Sequence, residues 1–168
     1  MANSLIIEEL KNDIFKRFVK NKEIVDTLDS PDMEADGWKP IFLINNPNTI
    51  SKGFTPLLFN YHKNPEYIEK SITFINLMCH LHTKGIYANV QLEVYIYTHD
   101  EHMRIDDPKI LSNRNDYLSQ LIDNELNGAD IGIGNLELIS NVEGVFNKDF
   151  NYRKLVFKTK DFNNSLCR

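Results

Sequence analysis

The sequence has 168 residues, a length that fits one domain with a hydrophobic core of its own. Hydrophobic residues make up 42% and charged residues 26%, so the fold needs neither a metal ion nor a disulfide to hold it together. The net charge of −5 argues against a general nucleic-acid binder, because such proteins carry a clustered basic face.

The N-terminal segment is predicted to form two helices. Apolar residues recur every four positions from Ile6 to Phe18, which places them on one face of a helix. Asn21 is expected to break this helix, and a second, shorter one should end before Ser30. The segment has no basic stretch followed by a long apolar core, so the chain is expected to be made in the cytoplasm.

Residues 30–70 form a proline-rich, irregular excursion that holds five of the six prolines. At most one or two short strands are predicted there, such as 39–44. Loops of this length in a compact domain are usually functional, so we predict that the excursion contacts partner proteins. Its candidate interface residues are Trp38, Phe42, Phe54 and Phe59. The alternative is that Phe42 and Phe59 complete the sheet of the domain itself.

Two runs of period-two alternation follow the excursion and predict an antiparallel hairpin. In the first run, Ile75 and Leu77 fall on an apolar face, and His80 and His82 fall on the opposite one. In the second run, 90–97, the even-numbered residues are expected to point inward and the odd-numbered ones outward.

The last third of the chain predicts a helix over 115–127, capped at its end by Gly128, and then two more strands. Together these elements predict one α+β domain over residues 1–168, with a short C-terminal tail at 163–168. Its antiparallel or mixed sheet has about four strands, packed against the N-terminal and central helices. Cys79 lies in an apolar run and Cys167 is next to last, so no disulfide is expected.

The stretch "YIYTHDEHMRIDD" concentrates histidines and carboxylates, and a metal-dependent hydrolase using His99, His102 and Asp106 is one hypothesis. The spacing does not fit the helical HExxH zinc motif, and the stretch follows a strand. A solvated strand exit is the preferred interpretation.

The remaining motifs give no catalytic signature either. His80 and His82 in "CHLH" share a strand face without a visible third ligand, and "GADIGIGN" follows a helix rather than a strand. No serine lies in a nucleophile elbow. We therefore predict a protein that is not an enzyme and that has no cofactor or metal.

Several stretches, in their order along the chain, resemble one family. They are "VYIYTHDEHMRID", "NRNDYLSQLIDNEL", "GIGNLEL" and "NVEGVFNKDFNYRKLVFKTKDFN". This pattern is similar to the small neck proteins of tailed bacteriophages, the tail-terminator or tail-completion proteins, and it covers about residues 5–163. The proline-rich excursion has no counterpart in the resemblance.

The resemblance implies a structural virion protein of the phage neck. Such a protein forms a homo-oligomeric ring, most often a hexamer, that ends the tail tube and joins tail to head. Its partners would be the tail-tube protein and the connector or portal-side neck proteins. DNA would pass through the lumen without specific binding, and no membrane would be involved. A head-completion adaptor or stopper bound to the portal is the alternative within the virion.

Overall fold

The structure, a computed structural model, describes residues 3–29, 43–48, 55–84 and 87–159. Within these residues the chain is one α+β domain with three helices and a mixed five-stranded sheet. The helices are α1 (Asn3–Lys20), α2 (Lys22–Leu28) and α3 (Arg114–Leu126). The strands are β1 (Leu58–Phe59), β2 (Thr73–Lys84), β3 (Tyr87–His99), β4 (Leu136–Val145) and β5 (Phe150–Thr159).

The strands lie in the order β1-β2-β3-β5-β4. β2 and β3 form the predicted antiparallel hairpin, in which Ile75 lies opposite Ile96 and Leu77 opposite Val94. The predicted count of about four strands missed β1, which is only two residues long and pairs in parallel with β2. No pattern of alternation can reveal so short a strand.

The helices cover one face of the sheet, with α1 against β2 and α3 against β3 and β5. The predicted break at Asn21 is confirmed, because its side chain accepts hydrogen bonds from the first amides of α2 and so caps that helix. Phe15 and Phe18 of α1 are buried together with Leu92 and Phe157 of the sheet. No helix in the described part of the chain is long and apolar enough to cross a membrane.

The opposite face of the sheet is more buried than the alternation predicted. Tyr97 was expected to point outward, but it is almost fully buried and stacks on Phe74, with ring centroids 5.2 Å apart. Two segments cover this face: the turn between β4 and β5, where the ring of Phe146 meets Tyr97 edge-on at 5.7 Å, and the chain after β1. The ring of His62 contacts Tyr97 edge-on, and the Asn76 amide donates to the Lys63 carbonyl.

The described parts of the proline-rich excursion belong to the domain itself. Leu57 and Leu58 are fully buried, and Ile44 bridges to Leu58 alongside β1. Residues 39–42 of the predicted short strand lie outside the described residues.

The four candidate interface residues have different outcomes. Trp38, Phe42 and Phe54 lie outside the described residues. Phe59 is only 4% exposed, and its ring meets that of Phe74 edge-on at 5.8 Å. For Phe59 the interface prediction is therefore corrected, because its side chain completes the chain's own core.

Candidate functional site

The chain between β3 and α3 is the region that the sequence singled out. β3 ends at His99, a 3₁₀ turn covers Asp100–His102, and residues 103–113 then lead to α3. We call residues 103–113 the exit loop. Asn113 begins α3 by accepting a hydrogen bond from the amide of Asp116, a usual cap for a helix start.

The buried side chain of Arg114 holds the start of the exit loop. Arg114 is 3% exposed. Its Nε donates to the carbonyl of His102 at 2.7 Å, and its Nη2 donates to the carbonyl of Arg104 at 2.8 Å. Its Nη1 donates to the carbonyl of Thr27 at the end of α2. One side chain therefore joins α2, the 3₁₀ turn, the exit loop and α3.

The charge of Arg114 has a partner at the edge of this site. The Asp29 carboxylate lies 3.6 Å from Nη2, and the backbone of Asp29 is left-handed, with φ +46°. Burial lowers the pKa of Arg114, and the negative charge of Asp29 opposes that shift. An unperturbed guanidinium pKa is so high that Arg114 remains charged at neutral pH.

A second row of hydrogen bonds runs beside Arg114. The Nδ1 of His102 lies 2.8 Å from the hydroxyl of Thr73, which is 3.0 Å from the hydroxyl of Thr98. Thr98 in turn donates to the side-chain oxygen of Asn115 at 2.6 Å. We refer to this set as the polar anchor: Thr73, Thr98, His102, Arg114 and Asn115.

The polar anchor holds chain segments together and does not present a nucleophile. Asp29, His102 and Thr73 follow one another like an acid–base–hydroxyl series, with 3.9 Å between the Asp29 oxygen and His102 Nε2. The side chain of Thr73 is fully buried, so its hydroxyl has no path to a substrate.

The three residues of the metal hypothesis are not brought together. His99 Nδ1 accepts from the amide of Glu101, whereas His102 faces Thr73. Asp106 lies in solvent and pairs with Arg104 at 3.3 Å. Across the described ranges, no group of three or more histidine, cysteine, aspartate or glutamate side chains is arranged to hold a metal ion.

Residues 95–107, which were interpreted as a solvated strand exit, are only partly exposed to solvent. Asp100, Glu101 and Asp106 are exposed, but His102 is half-buried and bonded to Thr73. The histidine rings of "CHLH" are both exposed on β2, with centroids 6.4 Å apart.

The exit loop exposes apolar side chains to solvent. Leu111 is 98% exposed, and Ile105 and Ile110 are partly exposed. The loop surrounds an open depression of about 640 Å³. A second exposed apolar set lies along β4: Ile139 is 49% exposed, Val142 47% and Val145 71%.

One protein family model matches most of this chain. The model of the YomW family matches residues 12–159, which run from the middle of α1 to the end of β5. The chain belongs to the YomW family. This family is phage-derived, so the phage origin predicted from the sequence is supported. Neither the curated proteins nor the solved structures give a match.

In this YomW-family chain, sequence analysis overlooked Arg114. The helix dipole disfavours a cation in the first turn of a helix, and Arg114 occupies the first position of α3. An arginine at that position indicates that its guanidinium binds another part of the chain. The sequence does not reveal that the contacts are backbone carbonyls, one of them 87 positions away.

The stability of the YomW-family domain is expected to fall in mild acid because of His102. Burial, and then the charge of Arg114, lower the pKa of His102 below the usual 6.5. The unfolded chain therefore takes up a proton below about pH 6.5 more readily than the folded chain does. Urea unfolding at pH 7.5 and 5.5 should show a smaller pH dependence for His102→Asn than for the unchanged protein. His82→Asn, at an exposed position, is the control; equal pH dependence in all three proteins would contradict this role.

Proposed function

We propose that this protein is a structural component of the phage neck, where it forms a ring that ends the tail tube and joins tail to head. Its place in a phage-derived family supports a phage role, and its resemblance to tail-terminator proteins supports the neck. On this proposal the ring has six copies, resides in the virion and carries out no enzymatic reaction. Its neighbours are the tail-tube protein on one side and connector or portal-side neck proteins on the other.

The exit loop is the observation that carries the proposal. A single exposed leucine is ordinary on a protein surface. Here the polar anchor holds the start of the loop that bears Leu111, because Arg114 donates hydrogen bonds to the carbonyl of Arg104 and to that of His102 just before the loop. A loop that is held at its start and continues directly into a capped helix at its end loses less conformational entropy on docking than a free segment does, which suits an element of a permanent assembly.

The charge of the chain fits a ring through which DNA passes. The chain has 24 acidic and 19 basic residues, so its net charge of −5 repels DNA phosphates on balance and does not favour binding through release of their counterions. DNA is therefore proposed to pass through the lumen without specific binding.

Replacing Leu111 by serine should prevent head–tail joining without affecting the fold. The side chain is almost wholly in solvent, so the free energy of unfolding should change by less than about 0.5 kcal/mol. The assay supplies each variant to a phage that lacks this gene and counts joined particles in lysates by electron microscopy. We expect separate heads and tails with Leu111→Ser.

Leu5→Ser is the matched control, because Leu5 is 48% exposed and belongs to α1 and not to the exit loop. It should give joined particles at normal yield. Normal joining by Leu111→Ser would show that the exit loop is not a neck contact.

A further inference from the structure

The sheet ends in an open edge at β4. The first part of this edge is covered, because Leu136 exchanges hydrogen bonds with Gly128 and Ala129, and the Leu138 amide donates to the Asn127 side chain. A β-bulge follows between Leu138 and Ser140. From 139 to 145, the described residues place no backbone partner on the side away from β5.

A second open edge lies on the other side of the sheet, along β2. β1 pairs only with Ile75 and Asn76, and among the described residues no strand continues alongside 77–84. The Ile75 amide donates to the Leu57 carbonyl, so odd-numbered residues of β2 direct their backbone groups away from β3. By the alternation of an antiparallel ladder, Leu77, Cys79 and Leu81 do the same.

We propose that residues 139–145 of one copy pair with residues 77–84 of the next copy, so that the sheet continues from subunit to subunit around the ring. This inference rests on the proposed function and identifies the surfaces through which the ring would close. Unpaired strand edges are templates for such addition. Contact between two different edges is head-to-tail, the kind that closes into rings.

The strand directions match this pairing. β2 and β5 run one way, and β3 and β4 run the other way. When a second copy is placed beside the first with the same face toward the helices, its β2 is antiparallel to β4. No subunit has to be turned over.

The register of the sheet also determines which side chains of the two edges share a face. Asn141 and Glu143 lie on the same face of the sheet as Leu77 and Cys79, and the Glu143 carboxylate pairs with Arg153 of its own sheet. In the continued sheet, Ser140 and Val142 lie on the same face as the two histidines. Pairing of β4 with a second β4 joins two identical edges, so it would close a dimer and not a ring.

Disulfide cross-linking tests the pairing. In a Cys79→Ser, Cys167→Ser background, His80→Cys supplies an exposed thiol on β2. A second cysteine is placed in turn at Ser140, Asn141, Val142 or Glu143. Directly opposed residues in an antiparallel pair have Cα atoms about 4.5–5.5 Å apart, within the range for a disulfide. We expect a ladder of cross-linked oligomers from the 140 or 142 variant, and at least tenfold less product from 141 and 143.

The controls separate this inference from the proposed function. Each β4 cysteine alone should give no dimer; a dimer there would indicate β4–β4 pairing and overturn the inference. Native mass spectrometry of the unoxidised protein reports ring formation independently. Rings without any cross-link to position 80 would refute this interface and leave the ring proposal standing. A monomer at every concentration would overturn both.

Discussion

Replacing Leu92 by aspartate is expected to unfold the domain. Leu92 is fully buried in the middle of β3, opposite Cys79 on one side and Phe157 on the other. Loss of a buried leucine costs about 2–5 kcal/mol, and burial of an unpaired carboxylate adds several more. The sum is comparable to the whole stability of a typical domain, roughly 5–15 kcal/mol. Circular dichroism should show no cooperative thermal transition.

Tyr95→Asp, on the opposite face of the same strand, is the matched control. Tyr95 is only partly buried, and the Lys154 ammonium lies 5.0 Å from its ring centroid, where it remains close to a new carboxylate. We expect a folded protein with a lowered melting temperature. If the two variants melt alike, the assignment of the apolar face is wrong.

Replacing Arg114 by methionine should produce the second-largest loss of stability. Methionine fills much of the same space but leaves the carbonyls of Thr27, His102 and Arg104 without their donor. Buried groups left unsatisfied cost about 1–3 kcal/mol each, and part of that is recovered by relaxation. We expect the free energy of unfolding in urea to fall by about 3–5 kcal/mol.

Arg104→Met is the control for charge and side-chain type, since the side chain of Arg104 is 88% exposed. It should change the free energy of unfolding by less than about 0.5 kcal/mol. An equal effect of the two substitutions would show that the buried hydrogen bonds of Arg114 do not stabilise the fold.

The sequence predicted the parts of this fold that depend on local periodicity. The alternation around Leu77 and Val94 identifies the β2–β3 hairpin and its apolar face, because side chains alternate strictly along a strand. The spacing of four residues between apolar side chains from Ile6 to Phe18 identifies α1, because residues four apart lie on the same face of a helix. Gly128, predicted as a helix cap, comes directly after Asn127, the C-cap residue of α3, and has φ +83°.

What the sequence did not predict depends on contacts between distant segments. Tyr97 alternates like an outward residue, but contacts with His62 after β1 and with Phe146 after β4 bury it. Arg114 acts on the carbonyl of Thr27, far away in the chain. The open edges at β4 and β2 follow from the order of the strands, which local patterns leave undetermined.

The position of this chain in a reconstruction of the phage particle tests the central claim most directly. We predict a ring of six copies between the last ring of the tail tube and the head connector, with the exit loop against a neighbouring protein. A ring bound only to the portal would favour a head-completion adaptor over a tail terminator. Particles that contain no copies of the chain would contradict a structural role in the neck.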